Sequence, residues 1–385
     1  MIYFDNAATG GFKPYSVQEV AEAAIKHLCA NPSRSGHRLS ETGGEIVFRT
    51  RKLIREVFNG ASADRVIFTK NATEALNTAI LGLLKKGDHV VTTCMEHNSV
   101  LRPLHSLKAA GIVDLTVFYP QKSAYIPQKQ LIHYDDIRPL IKENTRLVIT
   151  NHVSNVTGTE ADVSGIGNGL KRDFPSVLYV VDGAQSGGHI PLDMVGDKID
   201  ALCLAGHKGL MGIMGSGVLI LSEQASPTPL TYGGTGSDSF NLLQPDFYPD
   251  RLESGTLNLP AIAALFEGVL YIKNNLEFIS ERLYKMTEAL IERLTAIKGI
   301  NIYSLPNRSG IVAFSADGYA AEEYTATLSR KYDIATRGGF HCAPLMHKYL
   351  DTASDGLVRA SLSPFNTFKE ISSFANAVKH LSNKN

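Results

Sequence analysis

Between residues 66 and 221 the chain alternates between two textures. Short, mostly apolar runs recur at Val66–Thr69, Asp88–Cys94, Leu115–Tyr119, Arg146–His152, Val177–Val181, Asp200–Ala205 and Gly217–Leu221, each of strand length. Helices are predicted between some of them, over Ala72–Leu84 and from about Ser99 to Ala109. Strands this uniformly apolar, separated by helices, are buried on both faces. The pattern predicts an α/β fold with a mostly parallel seven-stranded sheet. After Leu259 the texture changes. Phe278, Leu283, Met286, Leu290 and Leu294 recur at helical spacing to about Lys298, and short strands and helices follow to the end. The expectation is a large domain over residues 15–258. Residues 1–14 and 259–385 would form a smaller α+β domain.

In an open parallel sheet, ligands bind beyond the carboxyl ends of the strands, so the residues there matter most. Asp182 closes the run Val177–Val181, with Gln185 three positions on. The next short strand leads into Ala-Gly-His-Lys-Gly (205–209) and delivers His207 and Lys208 to the same edge. An acid and a lysine on successive strand ends suit pyridoxal 5'-phosphate (PLP). The lysine forms a Schiff base with the aldehyde, and the carboxylate keeps the pyridine nitrogen protonated. Alone, a lysine after a glycine reads as a solvated loop residue and an aspartate at a strand end as a turn cap.

Other positions fit around the same edge. Lys-Asn-Ala-Thr-Glu-Ala (70–75) opens a helix whose first N–H groups, from Ala72 onward, attract an anion, and Thr73 adds a hydroxyl. By itself this is an ordinary capped helix start. His207 is placed for a further phosphate contact, as are the Gly255 N–H and Thr256 hydroxyl within Glu-Ser-Gly-Thr-Leu-Asn (253–258). His97, after the strand 88–94, offers a flat ring to stack on the cofactor.

Lys+Arg and Asp+Glu are equal at 38 each, so no net field favours nucleic acid or an anionic membrane. No apolar run approaches the roughly 20 residues that cross a bilayer. The opening Met-Ile-Tyr-Phe-Asp-Asn lacks the basic and apolar regions of a signal peptide, which leaves a cytoplasmic address as the expectation. The cysteines, at 29, 94, 203 and 342, have no zinc-like spacing and should be free thiols; no metal site is expected. Cys94 and Cys203 lie in apolar strands and read as buried hydrophobes. Cys342 lies in a loop before Pro344 where the same reading is open, but Gly338 and Gly339 fit a mobile loop better than a packed core.

Taken in order, these motifs resemble the class V aminotransferase group of PLP fold type I, and within it the cysteine desulfurases and selenocysteine lyases. Phe-Asp-Asn-Ala-Ala-Thr (4–9), Asn-Ala-Thr-Glu-Ala (71–75), Glu-His-Asn-Ser (96–99), Val-Asp-Gly-Ala-Gln (181–185) and Gly-His-Lys (206–208) are similar to that family's motifs. In His-Val-Ser-Asn-Val-Thr-Gly-Thr (152–159), the resemblance implies that Asn155 sits by the cofactor and the substrate carboxylate. Arg-Gly-Gly-Phe-His-Cys-Ala (337–343) looks like the cysteine loop of the SufS-like, group II desulfurases. It departs from them at Phe340, where a histidine is usual, and in lacking a Met between Ala343 and Pro344. Val-Arg-Ala-Ser (358–361) looks like the strand whose arginine, here Arg359, holds the substrate carboxylate.

The resemblance implies conversion of L-cysteine to L-alanine, with the sulfur taken by Cys342 as a persulfide for an acceptor protein. Lys208 would move the Cα proton, Arg337 and His341 would favour the Cys342 thiolate, and His97 would act beside the cofactor. It also implies a homodimer in which Thr256 reaches the other subunit's phosphate. Selenocysteine lyase, another class V enzyme such as an aminotransferase or epimerase, and a delivery protein with little turnover stand as alternatives.

Overall fold

A computed structural model describes residues 1–28, 30–32, 34–120 and 130–382. Cys29 lies outside the described residues. The strands of the main sheet are β1 (Val66–Thr69), β2 (Asp88–Thr93), β3 (Val113–Phe118), β4 (Thr145–Asn151), β5 (Leu178–Asp182), β6 (Ala201–Ala205) and β7 (Gly217–Leu221). Their spatial order is β1-β7-β6-β5-β4-β2-β3. All neighbours pair in parallel except β7, which runs antiparallel to both β1 and β6. The link from β6 to β7 holds no helix, and without a crossover the chain can only return antiparallel.

The strand β3 begins two residues before the expected run. It pairs only with β2 at the sheet edge, so its burial is intermittent and its sequence less continuously apolar. The central strands β5, β6 and β7 are buried at every position.

The helices α1 (Ala72–Leu83) and α2 (Asn98–Ala109) each start just past a strand's carboxyl end. Side chains outside the helix cap their first turns: Asn71 accepts from the Glu74 N–H, and the His97 ring accepts from the Ser99 N–H. The helix α3 (Leu259–Thr295) is the longest element. Its first part puts Leu259, Ile262, Leu265, Val269 and Ile272 into the apolar cluster of the main sheet. Its second part puts Ile279, Leu283, Met286, Leu290 and Leu294 into a separate cluster.

That second cluster packs against an antiparallel sheet of β8 (Ile300–Ile302), β9 (Ile311–Ala316), β10 (Arg337–Gly339) and β11 (Leu357–Ser361), ordered β8-β9-β11-β10. The helix α4 (Ala321–Tyr332) lies between β9 and β10 in the chain. The N-terminal segment also belongs here: Ile2–Tyr3 pairs with Ile334–Ala335, and Phe4 is buried against Phe374.

Candidate active site

Three neighbouring parallel strands end at one level. Asn151 of β4 is in register with Asp182 of β5, which is in register with Cys203 of β6, and the turn after β6 carries His207 and Lys208. Opposite them stand the start of α1 and the segment before α2. Between these lies a cavity lined among others by Ala72, Thr73, His97, Asn155, Asp182, Gln185, His207 and Lys208. Asn71, Ser99, Asn151 and Ala184 line it too, although no periodicity marked them.

Asp182 is buried, and one carboxylate oxygen accepts from the Ala184 N–H at 2.9 Å. Burial raises its pKa, opposed by that hydrogen bond and by Lys208. Lys208 is half-buried, and its amine makes no hydrogen bond or ion pair among the described residues. Burial pulls its pKa down to about 8; Arg359 and Arg337 add to the shift, while Asp182 and Asp5 oppose it. Gln185 donates its amide to the Ala7 carbonyl at 3.0 Å.

His97 is held to about 4, first by burial and then by the charges of Lys208, Arg337, Arg359 and Arg102. It is therefore a neutral ring, and its Nδ1 lies 2.8 Å from the Ser99 hydroxyl, which lies 2.8 Å from that of Thr73. His207 is likewise neutral, held to about 4 by burial, Lys208 and Lys13.

Asn155 joins this cavity to the second sheet. Its amide donates to the His341 carbonyl at 2.6 Å, and its own carbonyl accepts from Arg359 Nη1 at 2.9 Å. Arg359 is 1% exposed and gives Nη2 to Asp5 at 3.1 Å. It is in register with Arg337 on β10, whose Nη2 donates to Cys342 Sγ at 3.7 Å.

Cys342 is half-buried, and the Asn98 N–H at the start of α2 donates to its carbonyl at 2.7 Å. His341 and Cys342 both have left-handed backbone, at φ 49° and 57°, an uncommon pair for residues with side chains. Cys94 and Cys203 are buried, and burial pushes Cys94 to about 12 and Cys203 upward as well. Of these three thiols, only Cys342 has an arginine on its sulfur.

Two expectations need correcting. Gly338 and Gly339 do not form a mobile loop. They are strand residues of β10, and a Cβ on Gly338 would sit 2.3 Å from the Ala321 carbonyl oxygen at the start of α4. His341 brings no positive charge to Cys342, because burial and the nearby Arg359 hold it well below its ordinary pKa, with Nε2 against the Leu357 carbonyl. Apart from these two, Gly255 and Thr256 do not line the cavity of their own chain. They are exposed, and Thr256 accepts from Asn31 at 3.2 Å.

The family model for Aminotransferase class-V matches residues 2–374. The chain belongs to the class-V aminotransferase family. Family members are PLP enzymes of fold type I, and the mostly parallel seven-stranded sheet agrees with that. The chain is similar to a probable cysteine desulfurase of Pyrococcus abyssi, 33% identical over 402 residues, with 99% of this chain and 94% of that protein covered. A cysteine desulfurase of Escherichia coli is 30% identical over 383 residues, with 96% and 91% covered. The solved apo cysteine desulfurase of Thermococcus onnurineus superposes with a TM-score of 0.89 at 30% identity, covering 100% of this chain and 95% of that one.

The cavity suits the family's cofactor. Among the described residues, Asp182 keeps one carboxylate oxygen clear of the Ala184 bond, Lys208 has a free amine, and Asn151 and Asn155 each have a buried side-chain oxygen without a partner. Such orphaned oxygens, lining a cavity, fit a polar ligand.

Proposed function

We propose that this chain is a PLP-dependent cysteine desulfurase: it takes sulfur from L-cysteine as a persulfide on Cys342 and releases L-alanine. The observation that carries this reading is the Cys342 thiol under Arg337, on a segment tied through Asn155 to the cavity of Lys208 and Asp182.

Lys208 would bond covalently to the cofactor aldehyde, Asp182 would face the pyridine nitrogen, and His97 would lie over the ring. The N-terminal N–H groups of α1, Thr73 and His207 would take the phosphate. When bound, PLP supplies an electron sink for charge at the substrate Cα. Lys208, with a pKa near 8, can hold or release a proton at that carbon around neutral pH. Arg359 and Arg337 suit the substrate carboxylate as planar, charged donors. Cys342, as the thiolate, attacks the substrate sulfur. The new S–S bond forms as the Cβ–S bond breaks, the electron pair goes back to carbon, and protonation there gives alanine. The persulfide then passes to an acceptor protein.

Residues 15–258 would act as the cofactor domain, and residues 1–14 with 259–385 as the domain carrying Cys342; the second apolar cluster, which joins Phe4 to residues from Ile279 onward, supports that grouping, while the first part of α3 packs with the main sheet. A homodimer is supported by Phe240, Leu242 and Leu243, almost fully exposed in the segment before Gly255 and Thr256. The dimer would set Thr256 at the partner's phosphate. The free thiols favour a reducing, cytoplasmic setting. Alanine release from L-cysteine, measured for the wild type beside Cys342→Ala, tests the reading. Release by the wild type alone supports it, whereas equal release by both variants overturns the role of Cys342.

A further inference from the structure

The N-terminal motif at residues 4–9 has no part in the chemistry above, yet the segment it opens touches the site at three places. Asp5 binds Arg359, the Ala7 carbonyl accepts from Gln185, and residues 9–13 close on His207. The third contact is the most concentrated. The His207 carbonyl, one peptide before Lys208, accepts from the Gly10 N–H at 3.0 Å and from Lys13 Nζ at 2.8 Å. The Thr9 hydroxyl lies 3.0 Å from His207 Nδ1 and 3.4 Å from the same carbonyl.

Lys13 is half-buried and has no carboxylate partner among the described residues; its ammonium is committed to that one carbonyl. An ammonium drawn out of water without an acid beside it is costly, so the fold spends stability on this contact. Burial accordingly pulls Lys13 down to about 8. The approach is also tight. A Cβ on Gly10 would meet Lys13 Nζ at 2.8 Å and the Lys208 carbonyl oxygen at 3.3 Å.

We propose that Lys13 is a positioning residue: with Gly10 it clamps the His207–Lys208 peptide and so fixes the reach and angle of the Lys208 amine in the cavity. The role rests on the reading of Lys208 as the cofactor lysine. The segment is itself anchored, because the Gly11 N–H donates to Asn6 Oδ1 at 3.0 Å and Asn6 donates to the Ser361 carbonyl at 2.9 Å. The clamp therefore pulls against the rigid strand β11. Loosening it frees the peptide under Lys208 without emptying the cavity wall.

The test is the rate at which holoenzyme loses bound PLP into a large excess of buffer, followed by visible absorbance, for the wild type, Lys13→Met, Lys13→Arg and Gly10→Ala. Removing a charge-assisted hydrogen bond of this kind should speed loss about tenfold or more in Lys13→Met. Gly10→Ala should move the same way, and Lys13→Arg should return most of the wild-type rate. The melting temperature of cofactor-free Lys13→Met should be no lower than that of the cofactor-free wild type, because the ammonium was itself costly to desolvate. Loss at the wild-type rate in Lys13→Met overturns the proposal, and so does a clear fall in the melting temperature of the cofactor-free form, which would make Lys13 a residue of general stability. Lys208→Ala is measured alongside. If it keeps the wild-type absorbance, the cofactor reading itself fails, whatever Lys13 does.

Discussion

Around Asp182 and Lys208 the backbone is ordinary and the side chains are unusual; around Cys342 the backbone is unusual as well. The first region is made of parallel strand ends in register, and its cost is electrostatic: a buried acid whose pKa is raised and a lysine brought down to about 8. The second holds two consecutive left-handed residues, a conformation that costs on the order of 1–3 kcal/mol per residue. Bonds from the Asn98 N–H, from the Asn155 amide, and between His341 Nε2 and the Leu357 carbonyl offset that strain. One region tunes protons and the other aims a sulfur. Substitutions should therefore separate them, with losses of cofactor on one side and losses of transfer on the other.

The largest effect is expected at Lys208→Ala. Visible absorbance of bound cofactor should disappear, and alanine release should fall by about 10²–10⁴-fold or more, the scale of a lost acid–base group. Cys342→Ala should differ in the cofactor: full absorbance, but no persulfide and no alanine. Mass spectrometry of the wild type after L-cysteine should place the extra sulfur on Cys342. A persulfide on Cys94 or Cys203 instead would erase the distinction between the regions, since both thiols are buried with raised pKa values.

Arg359→Ala tests where the two regions meet. Charge-assisted hydrogen bonds are worth about 1.5–3 kcal/mol, so the KM for L-cysteine should rise by roughly 10–100-fold. If kcat falls while KM stays put, Arg359 serves to brace Asn155 and Asp5 and does not touch the substrate. A gentler probe is the pH dependence of cofactor capture by the cofactor-free protein. Only the neutral Lys208 amine can attack the aldehyde. Burial lowers its pKa from 10.5 to about 8, so the capture rate should climb about tenfold per pH unit below 8 and level off above it. A climb that continues to pH 10 would show an unshifted lysine.

The parallel sheet was legible because its strands are nearly continuous apolar runs, and Asp182, His207 and Lys208 follow from the rule that strand ends face the ligand. Asn151 ends a strand in the same way and could have been read by the same rule. Lys13 could not, because its partner is a backbone carbonyl far away in the chain, and no side-chain pattern records such a contact. His341 was misjudged for a related reason: the burial that keeps it neutral comes from β11 and from its packing beside His347, neither of which its own neighbourhood in sequence reveals. Gly338 and Gly339 were misread because mobility and close packing both call for a missing side chain.

That last ambiguity can be broken with one methyl group. If Gly338 supplied freedom to the cysteine segment, Gly338→Ala would cost little stability and would slow sulfur transfer. In the fold described above, the new Cβ has nowhere to go. Its nearest neighbours are the Ala321 carbonyl oxygen at 2.3 Å and carbon at 2.5 Å and the Glu322 nitrogen at 2.7 Å, all backbone atoms at the start of α4. Backbone cannot swing aside as a flexible side chain can, so β10 and α4 must separate. Overpacking of this kind costs about 1–3 kcal/mol, a shift of a few degrees in Tm. Cofactor absorbance should stay at the wild-type level, because none of the cavity-lining residues lies on β10 or α4. An unchanged melting temperature with slower persulfide formation would restore the glycine pair as a hinge; the opposite pattern makes it a seat on which Arg337 and Cys342 are held.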